Sequence, residues 1–324
     1  MANGIVWYLG HSLYGATTNP VVAEGYDEAD NLIYQIRFGG VEFGDVPKFV
    51  VANAAGHLFF ALKSYSYPYN TYKTDGEFTR VYRRQGTRID FPNLHGNYVY
   101  SLAIDPSDDS IYVGGEQDSS DSYKSLHKYN SAGVLQWSKS SEVFPYYSVR
   151  YSLTLEANTH RIVAIKIDSS GNIVTGSVSQ ECGEVHKYSS SGTLLWSFIL
   201  DSNIYGLALD GSDNVYVICS GGIGYYALED YDPDDVSLNR VEFTSPPEAH
   251  DLIKLDSDGN YVDSIYIATA ASYAEQYEPN DIVFHDGTLY IKSFYYYTVS
   301  YYNGYVAQFD TDLAFISKDY SVNK

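Results

Sequence analysis

Along most of this chain apolar and polar residues alternate in short runs, the period of a half-buried β-strand, and Gly, Asp, Asn and Ser gather between the runs. Some runs are nearly continuous instead. Leu102-Ala103-Ile104 and Ala164-Ile165-Lys166-Ile167 have the composition of strands buried on both faces, and each leads through a polar turn into a second apolar run. Residues 49–60, 207–217 and 282–291 repeat that hairpin. Asn53, Asp105, Asp168, Asp210 and Asp286 open its turn, where a short side chain accepts a hydrogen bond from the turn backbone.

A second pattern follows each of these hairpins. Ser125-Leu126-His127-Lys128-Tyr129-Asn130-Ser131-Ala132-Gly133-Val134-Leu135-Gln136-Trp137 returns as Glu184-Val185-His186-Lys187-Tyr188-Ser189-Ser190-Ser191-Gly192-Thr193-Leu194-Leu195-Trp196. The same frame fits residues 22–34, 79–90, 251–263 and 306–317. In each copy Tyr26, Tyr82, Tyr129, Tyr188, Leu255 or Phe309 ends a strand. Four residues later stands Asp30, Gly86, Gly133, Gly192, Gly259 or, as the exception, Leu313. So tight a connection between alternating runs predicts a second hairpin. Trp137 and Trp196 fall at matching positions on the last strand, where they are expected to pack over the third strand of their own unit.

Two hairpins repeated at this spacing predict an all-β propeller of four-stranded blades, six in number with seven as the alternative. The blades span about 1–38, 46–91, 98–138, 161–198, 203–265 and 280–318, in a single domain covering 1–324. The first blade lacks its own innermost strand. Residues 318–324 are the candidate to complete it by ring closure.

The strand, Asp-x-x-Gly-type turn, second strand and Gly-x-Leu-x-Trp-like edge of these units resemble the NHL-like and PQQ-like classes of propeller repeat. That resemblance implies fold and leaves function open, since propellers host lyases, dehydrogenases, ligand sensors and scaffolds.

Function is sought in the sequence between the strands. In a propeller the connections from strand two to three and from blade to blade leave on one face, and both tight turns lie on the other. The first group takes in residues 9–20, 63–77, 115–124, 138–161, 176–183, 221–250, 265–280 and 293–304. It holds Tyr65, Tyr67, Tyr69, Tyr72, Tyr146, Tyr147, Tyr225, Tyr226, Tyr273, Tyr277, Tyr295, Tyr296, Tyr297 and Tyr301, with Ser, Asn and Gly between them. Rigid amphipathic rings among small polar residues compose a recognition surface. The alternative is that 64–67 and 294–302 extend strands with Tyr on both faces.

Composition narrows the rest. The chain has 324 residues, 35 of them Tyr, with Lys+Arg 20 against Asp+Glu 41 and a net charge of −21, which repels a phosphate backbone and argues against nucleic acid as partner. No apolar run reaches the roughly 18 residues of a membrane span. The start, Met1-Ala2-Asn3-Gly4-Ile5-Val6-Trp7, lacks a basic segment before an apolar core, so no Sec export is expected. Cys182 and Cys219 make no disulfide framework, and Cys219 reads as a small buried hydrophobe.

Candidate chemistry is sparse. Asp256 and Asp258, in Asp256-Ser257-Asp258-Gly259-Asn260, resemble part of a calcium loop, but equivalent turns read Asn130-Ser131-Ala132-Gly133 and Ser189-Ser190-Ser191-Gly192, so the position needs a turn rather than a ligand. Asp232, Asp234 and Asp235, beside Glu229 and Asp230, form an acid cluster that is commonly a solvated loop. No cofactor is expected. His127 and His186 share a repeat position, which points to packing, and no nucleophile elbow, phosphate loop or dinucleotide fingerprint occurs.

The expectation is a non-catalytic structural or attachment module of a larger assembly, with other protein subunits as partners and surface carbohydrate as the alternative ligand. In style the chain resembles tail or capsid-associated propeller proteins of tailed bacteriophages. That resemblance implies location in a virion, or in the cytoplasm if the protein is not viral.

Overall fold

The computed structural model describes residues 6–11, 21–26, 32–38, 46–52, 58–63, 80–82, 88–90, 97–117, 123–140, 161–178, 183–200, 203–222, 225–227, 250–265, 267, 277–297 and 301–321. The chain forms two compact units, Met1–Ile162 and Val163–Lys324. Every strand pairing is antiparallel.

In the first unit β1 (Val6–His11), β2 (Val21–Tyr26) and β3 (Leu32–Phe38) form a three-stranded sheet in chain order. A four-stranded sheet follows from β4 (Val46–Ala52), β5 (Leu58–Lys63), β6 (Arg80–Tyr82) and β7 (Arg88–Asp90). Another comprises β8 (Asn97–Ile104), β9 (Ile111–Gln117), β10 (Tyr123–Tyr129) and β11 (Leu135–Ser140). Among the described residues the first sheet has three strands.

In the second unit β12 (Arg161–Ile167, whose first two residues belong to the first unit), β13 (Ile173–Val178), β14 (Gly183–Tyr188) and β15 (Leu194–Leu200) pair in chain order. The next sheet is β16 (Ile204–Leu209), β17 (Val215–Gly222), β19 (His250–Leu255) and β20 (Tyr261–Ile265). Its insertion contributes β18 (Tyr225–Ala227), which turns back to pair with β15 as a fifth strand of the preceding sheet. The last sheet is β21 (Tyr277–His285), β22 (Thr288–Tyr297), β23 (Tyr301–Asp310) and β24 (Phe315–Ser321).

The end of the chain departs from the expectation. Lys318 to Ser321 pair with Ala307 to Gly304 of β23, so they extend the last sheet's own outer strand. An unbroken run of paired rungs costs less than leaving those backbone groups to water or to a distant sheet.

Two apolar layers hold the second unit together. Val174, Val185 and Phe198 pack with Ile204, Leu207, Val215 and Val217 in one of them. Tyr216, Ile218 and Leu252 pack with Ile282, Leu289, Ile291 and Phe309 in the other. The middle sheet is therefore buried on both faces, which is why β17 reads Val-Tyr-Val-Ile-Cys, alternate residues serving opposite layers. Cys219 is buried in the first layer, as expected. Among the described residues no helix is long and apolar enough to cross a membrane.

The turns repeat one device. Asp168 and Asp210 each accept, on one carboxylate oxygen, the backbone N–H groups two and four residues on, and on the other the side-chain amide of Asn172 or Asn214. Asp105 accepts from Ser107 through backbone and hydroxyl alike. Asp286 differs, for it and Gly287 both have positive φ (46° and 77°) in a two-residue turn between His285 and Thr288. In the outer turns Gly133, Gly192 and Gly259 have φ of 81°, 85° and 85°. Leu313 adopts the same left-handed conformation, φ 62°, with the same turn hydrogen bonds from Asp310 to Ala314. Its side chain is buried in the second apolar layer.

Leu313 therefore sets two effects against each other. Left-handed backbone costs a residue with a Cβ about 1 kcal/mol, and truncating a buried Leu costs about 2–4 kcal/mol. Leu313→Gly should lower stability by roughly 1–3 kcal/mol in urea denaturation. A stabilised variant would show that turn strain exceeds burial at this position.

Candidate functional site

Successive sheets of the second unit are joined through one backbone atom per outer turn. Lys187, on β14, donates to the Asp168 carboxylate at 2.8 Å and to the carbonyl of Ser257 at 3.0 Å. Trp196 Nε1, on β15, donates to the same Ser257 oxygen at 3.2 Å. One sheet further on, Lys254 Nζ donates to the carbonyl of Thr311 at 2.7 Å, and the Tyr216 hydroxyl donates to it at 3.1 Å and to Asp210 at 3.0 Å. Ser257 and Thr311 hold the same place in consecutive outer turns. The Lys that precedes the strand-ending residue thus reaches past its own sheet into the next.

Trp196 correspondingly does more than cover its own third strand, as the repeat frame had it. It pairs with Lys187 in register, but a Cβ built on Gly259 would lie 2.5 Å from its Cδ2 atom. The ring occupies the space a side chain would need in the neighbouring turn. Trp137 is half-buried with its ring centroid 6.0 Å from that of Tyr112.

Burial opposes ionisation of Asp168, but hydrogen bonds from Lys187 and Asn172 outweigh it and hold the carboxyl below the usual carboxylate range. Asp210 behaves alike, through Asn214, the Ser212 amide and Tyr216. Burial pushes the Tyr112, Tyr129 and Tyr216 hydroxyls up, and it pushes the Lys166 ammonium down against the opposing charge of Asp281.

The repeated histidines have unequal surroundings. His186 Nε2 lies 2.9 Å from Glu184 Oε2 and Nδ1 lies 2.8 Å from the Ser197 hydroxyl. A carboxylate can only accept, so Nε2 carries a proton, and in the neutral imidazole Nδ1 then accepts from Ser197. The order carboxylate, imidazole, hydroxyl is that of a proton relay, yet the Glu184 and His186 side chains are 5% and 2% exposed. Thr175 and Ser177 bond the backbone carbonyls of His186 and Glu184, completing a polar row across β13, β14 and β15. His127 has no partner on either nitrogen among the described residues, and burial lowers its pKa to about 4. The sequence flagged both histidines by their shared repeat position; Glu184 and Ser197 carried no signal, being ordinary strand residues until the register sets them beside the imidazole.

The tyrosines expected at the surface divide into two groups. Tyr65, Tyr67, Tyr69, Tyr72, Tyr146, Tyr147 and Tyr273 lie outside the described residues, as do Asp232, Asp234 and Asp235. The others lie on strands. Tyr225 and Tyr226 belong to β18, Tyr277 opens β21, Tyr295, Tyr296 and Tyr297 end β22, and Tyr301 opens β23. Residues 293–304, expected as a connection, are largely paired backbone because Tyr favours strands and a run of Tyr hides the alternation.

In each sheet of the second unit the turns after the first and third strands lie at one end and the second-to-third connection lies at the other, and all these strand tyrosines stand at the latter end. The β22–β23 hairpin reaches farthest there. β21 begins opposite Tyr295 and β24 ends opposite Gly304, whereas the pairs Tyr296↔Tyr302 and Tyr297↔Tyr301 continue beyond both flanking strands.

Asp256 and Asp258 lie at the opposite end. Both Asp256 carboxylate oxygens receive hydrogen bonds, from the Asp258 and Asn260 amides and the Asn260 side chain, as in the other Asp turns. The described residues contain no group of three or more His, Cys, Asp or Glu placed to hold a metal ion.

No family model matches the chain and no curated protein sequence is detectably similar. Solved structures do resemble it. A Bacteroides caccae protein of unknown function is 13% identical, with a TM-score of 0.54, covering 98% of this chain and 94% of its own. The periplasmic gluconolactonase of Pseudomonas aeruginosa is 9% identical, with a TM-score of 0.58, covering 97% of this chain and 82% of its own. These neighbours are β-propeller-like, and the fold of this chain is an all-β propeller. At such identities the likeness concerns fold alone.

Two outcomes follow from the joints. Gly259→Ala should cost about 3 kcal/mol, from left-handed backbone and the clash with Trp196, but only about 1 kcal/mol in a Trp196→Ala background. A double-mutant cycle without coupling would remove Trp196 from that contact. Asp168→Asn should cost about 3 kcal/mol near neutral pH by leaving Lys187 buried without its counter-charge. A depressed carboxyl contributes its stability above its unfolded pKa near 4 and loses it as pH falls through the lower folded value. The gap between wild type and Asp168→Asn should therefore persist from neutrality to about pH 4 and close only in stronger acid. A gap that closes between pH 7 and 5 would contradict the assignment.

Proposed function

We propose that this propeller is a non-catalytic attachment module of a larger assembly, making contact through the end of its sheets that carries the second-to-third connections. The observation behind this reading is the β22–β23 hairpin, whose last two pairs extend past the strands on either side and consist of four tyrosines. Tyrosines paired at the end of a hairpin supply rigid amphipathic rings, which give a large contact area at a small entropic cost.

The opposite end offers compact turns in which Asp168, Asp210, Asp256 and Asp310 accept hydrogen bonds from their own turn backbone. The net charge of −21 turns the choice of partner away from nucleic acid. A tailed-phage virion, on tail or capsid, is the setting we favour, on the style of the sequence: rich in Tyr, Ser, Asn and Gly, poor in Cys and acidic. Lyase or hydrolase activity would need a site of its own, since the gluconolactonase this chain resembles shares only the fold.

Tyr296→Ala with Tyr302→Ala should reduce incorporation into the purified assembly by about 10- to 100-fold, at about 1–2 kcal/mol per anchor, while the melting temperature stays near wild type. Asp258→Asn with Asp312→Asn, in the tight turns, should leave incorporation unchanged. If the turn variant fails to assemble and the tyrosine variant assembles normally, the working end is the other one.

A further inference from the structure

One first strand of the second unit carries a lysine where other copies of the repeat have alanine. β12 ends Ile165-Lys166-Ile167 before Asp168, whereas β8 ends Leu102-Ala103-Ile104 before Asp105 and β16 ends Leu207-Ala208-Leu209 before Asp210. Ala103 and Ala208 are 8% and 2% exposed, but Lys166 is only half-buried. Neighbouring sheets leave little room at this level, since a Cβ built on Gly206 would lie 3.2 Å from Ile218 and 3.3 Å from Ile282. Packing calls for a small residue here, and a lysine is a departure from the frame.

Lys166 does not serve as a joint between sheets either. Lys187 and Lys254 each donate to the carbonyl of an outer turn. Lys166 makes no hydrogen bond or ion pair with any described residue. Asp168, two residues on and on the same face, is occupied by Lys187 and Asn172. Ala164, on that face too, packs against the first apolar layer, and β16 beside it has no charged residue. The charge that acts on Lys166 is Asp281 of β21, an exposed carboxylate that forms no ion pair with it. The amine is nevertheless open to solvent. Among the described residues the partnerless polar atoms closed to solvent include both His127 nitrogens and the Tyr112 hydroxyl, and the Lys166 nitrogen is not one of them. An ammonium beside aliphatic side chains, with no acceptor in reach, loses part of the solvation that favours its charge. Burial accordingly outweighs Asp281 and lowers the Lys166 pKa.

We propose that Lys166 is a covalent capture site for a small uncharged aldehyde, a property beyond the attachment reading and independent of it. The uncharged amine attacks the carbonyl carbon, a C–N bond forms, and the carbonyl electron pair moves to oxygen, which takes up a proton as the nitrogen gives one off. The carbinolamine then loses that oxygen as water, carrying the second amine proton, and an imine remains. No oxidant or reductant enters, and water reverses the reaction. An anionic aldehyde is disfavoured, because it would hold the amine in its charged, non-nucleophilic form and be repelled by Asp281.

The test treats the full chain at pH 7 with benzaldehyde and cyanoborohydride, which reduces the imine to a stable benzylamine, and follows each lysine by peptide mass spectrometry. Lys166 should be modified about tenfold faster than any other lysine, and that preference should vanish when the chain is unfolded in urea. 4-Carboxybenzaldehyde should label Lys166 about fivefold more slowly than benzaldehyde. Asp281→Asn removes the charge that favours the ammonium, so it should speed labelling of Lys166 about two- to fivefold, an effect that a merely solvated lysine would not show. Labelling no faster than at other lysines, a preference that survives unfolding, slower labelling in Asp281→Asn, or preference for the carboxylated aldehyde overturns the proposal.

Discussion

The carbonyl oxygen of Ser257, and its counterpart at Thr311, is the atom on which the spacing of neighbouring sheets in the second unit depends. Each accepts a lysine ammonium and an aromatic N–H or O–H from the sheet before it. Apolar layers are non-directional and would tolerate some sliding of one sheet over another. A fixed acceptor with two donors converging from different strands allows far less. The arrangement needs a lysine carried deep into the protein, and that is tolerable because Asp168, itself held ionised by its turn, stands 2.8 Å from Lys187.

The same requirement explains the tight turns. The outer turn must present its second carbonyl outward to the previous sheet, so the backbone passes through a left-handed residue two positions later at Gly259 and Leu313. Glycine is needed at 259 for a further reason, the ring of Trp196. At 313 no tryptophan stands over the turn, because Tyr216 approaches the carbonyl from the second strand instead, and a leucine is accommodated with its side chain turned into the core.

Much of this was legible in the sequence. The Asp turns, the shared position of His127 and His186, and the glycine spacing are local features, set within a few residues by hydrogen-bond chemistry and φ, and a repeated chain states them several times over. The Lys187 to Ser257 joint was not legible. It links residues 70 apart, and nothing in His-Lys-Tyr shows that the lysine leaves its own sheet. The tyrosine end was read only in part. Tyr295 to Tyr297 and Tyr301 lie on β22 and β23, where a tyrosine run carries no alternation to mark it as paired strand, so the pairing emerges only from the register. The backbone of Tyr225 and Tyr226, in a segment expected as a connection, forms a strand on another sheet's edge.

That fifth strand has a mechanical consequence. β18 follows β17 after two residues, yet it pairs along β15, with Phe198, Ile199 and Leu200 opposite Ala227, Tyr226 and Tyr225. Tension on the chain beyond Ala227 is delivered first to the edge of the earlier sheet, along the strand direction, where the three rungs share it in shear. Only after they give way does the pull reach β17 and the doubly buried core behind it. A module that holds on to something through this insertion has a yielding element placed ahead of its folded centre, so an excessive load shears off an edge strand and spares the fold.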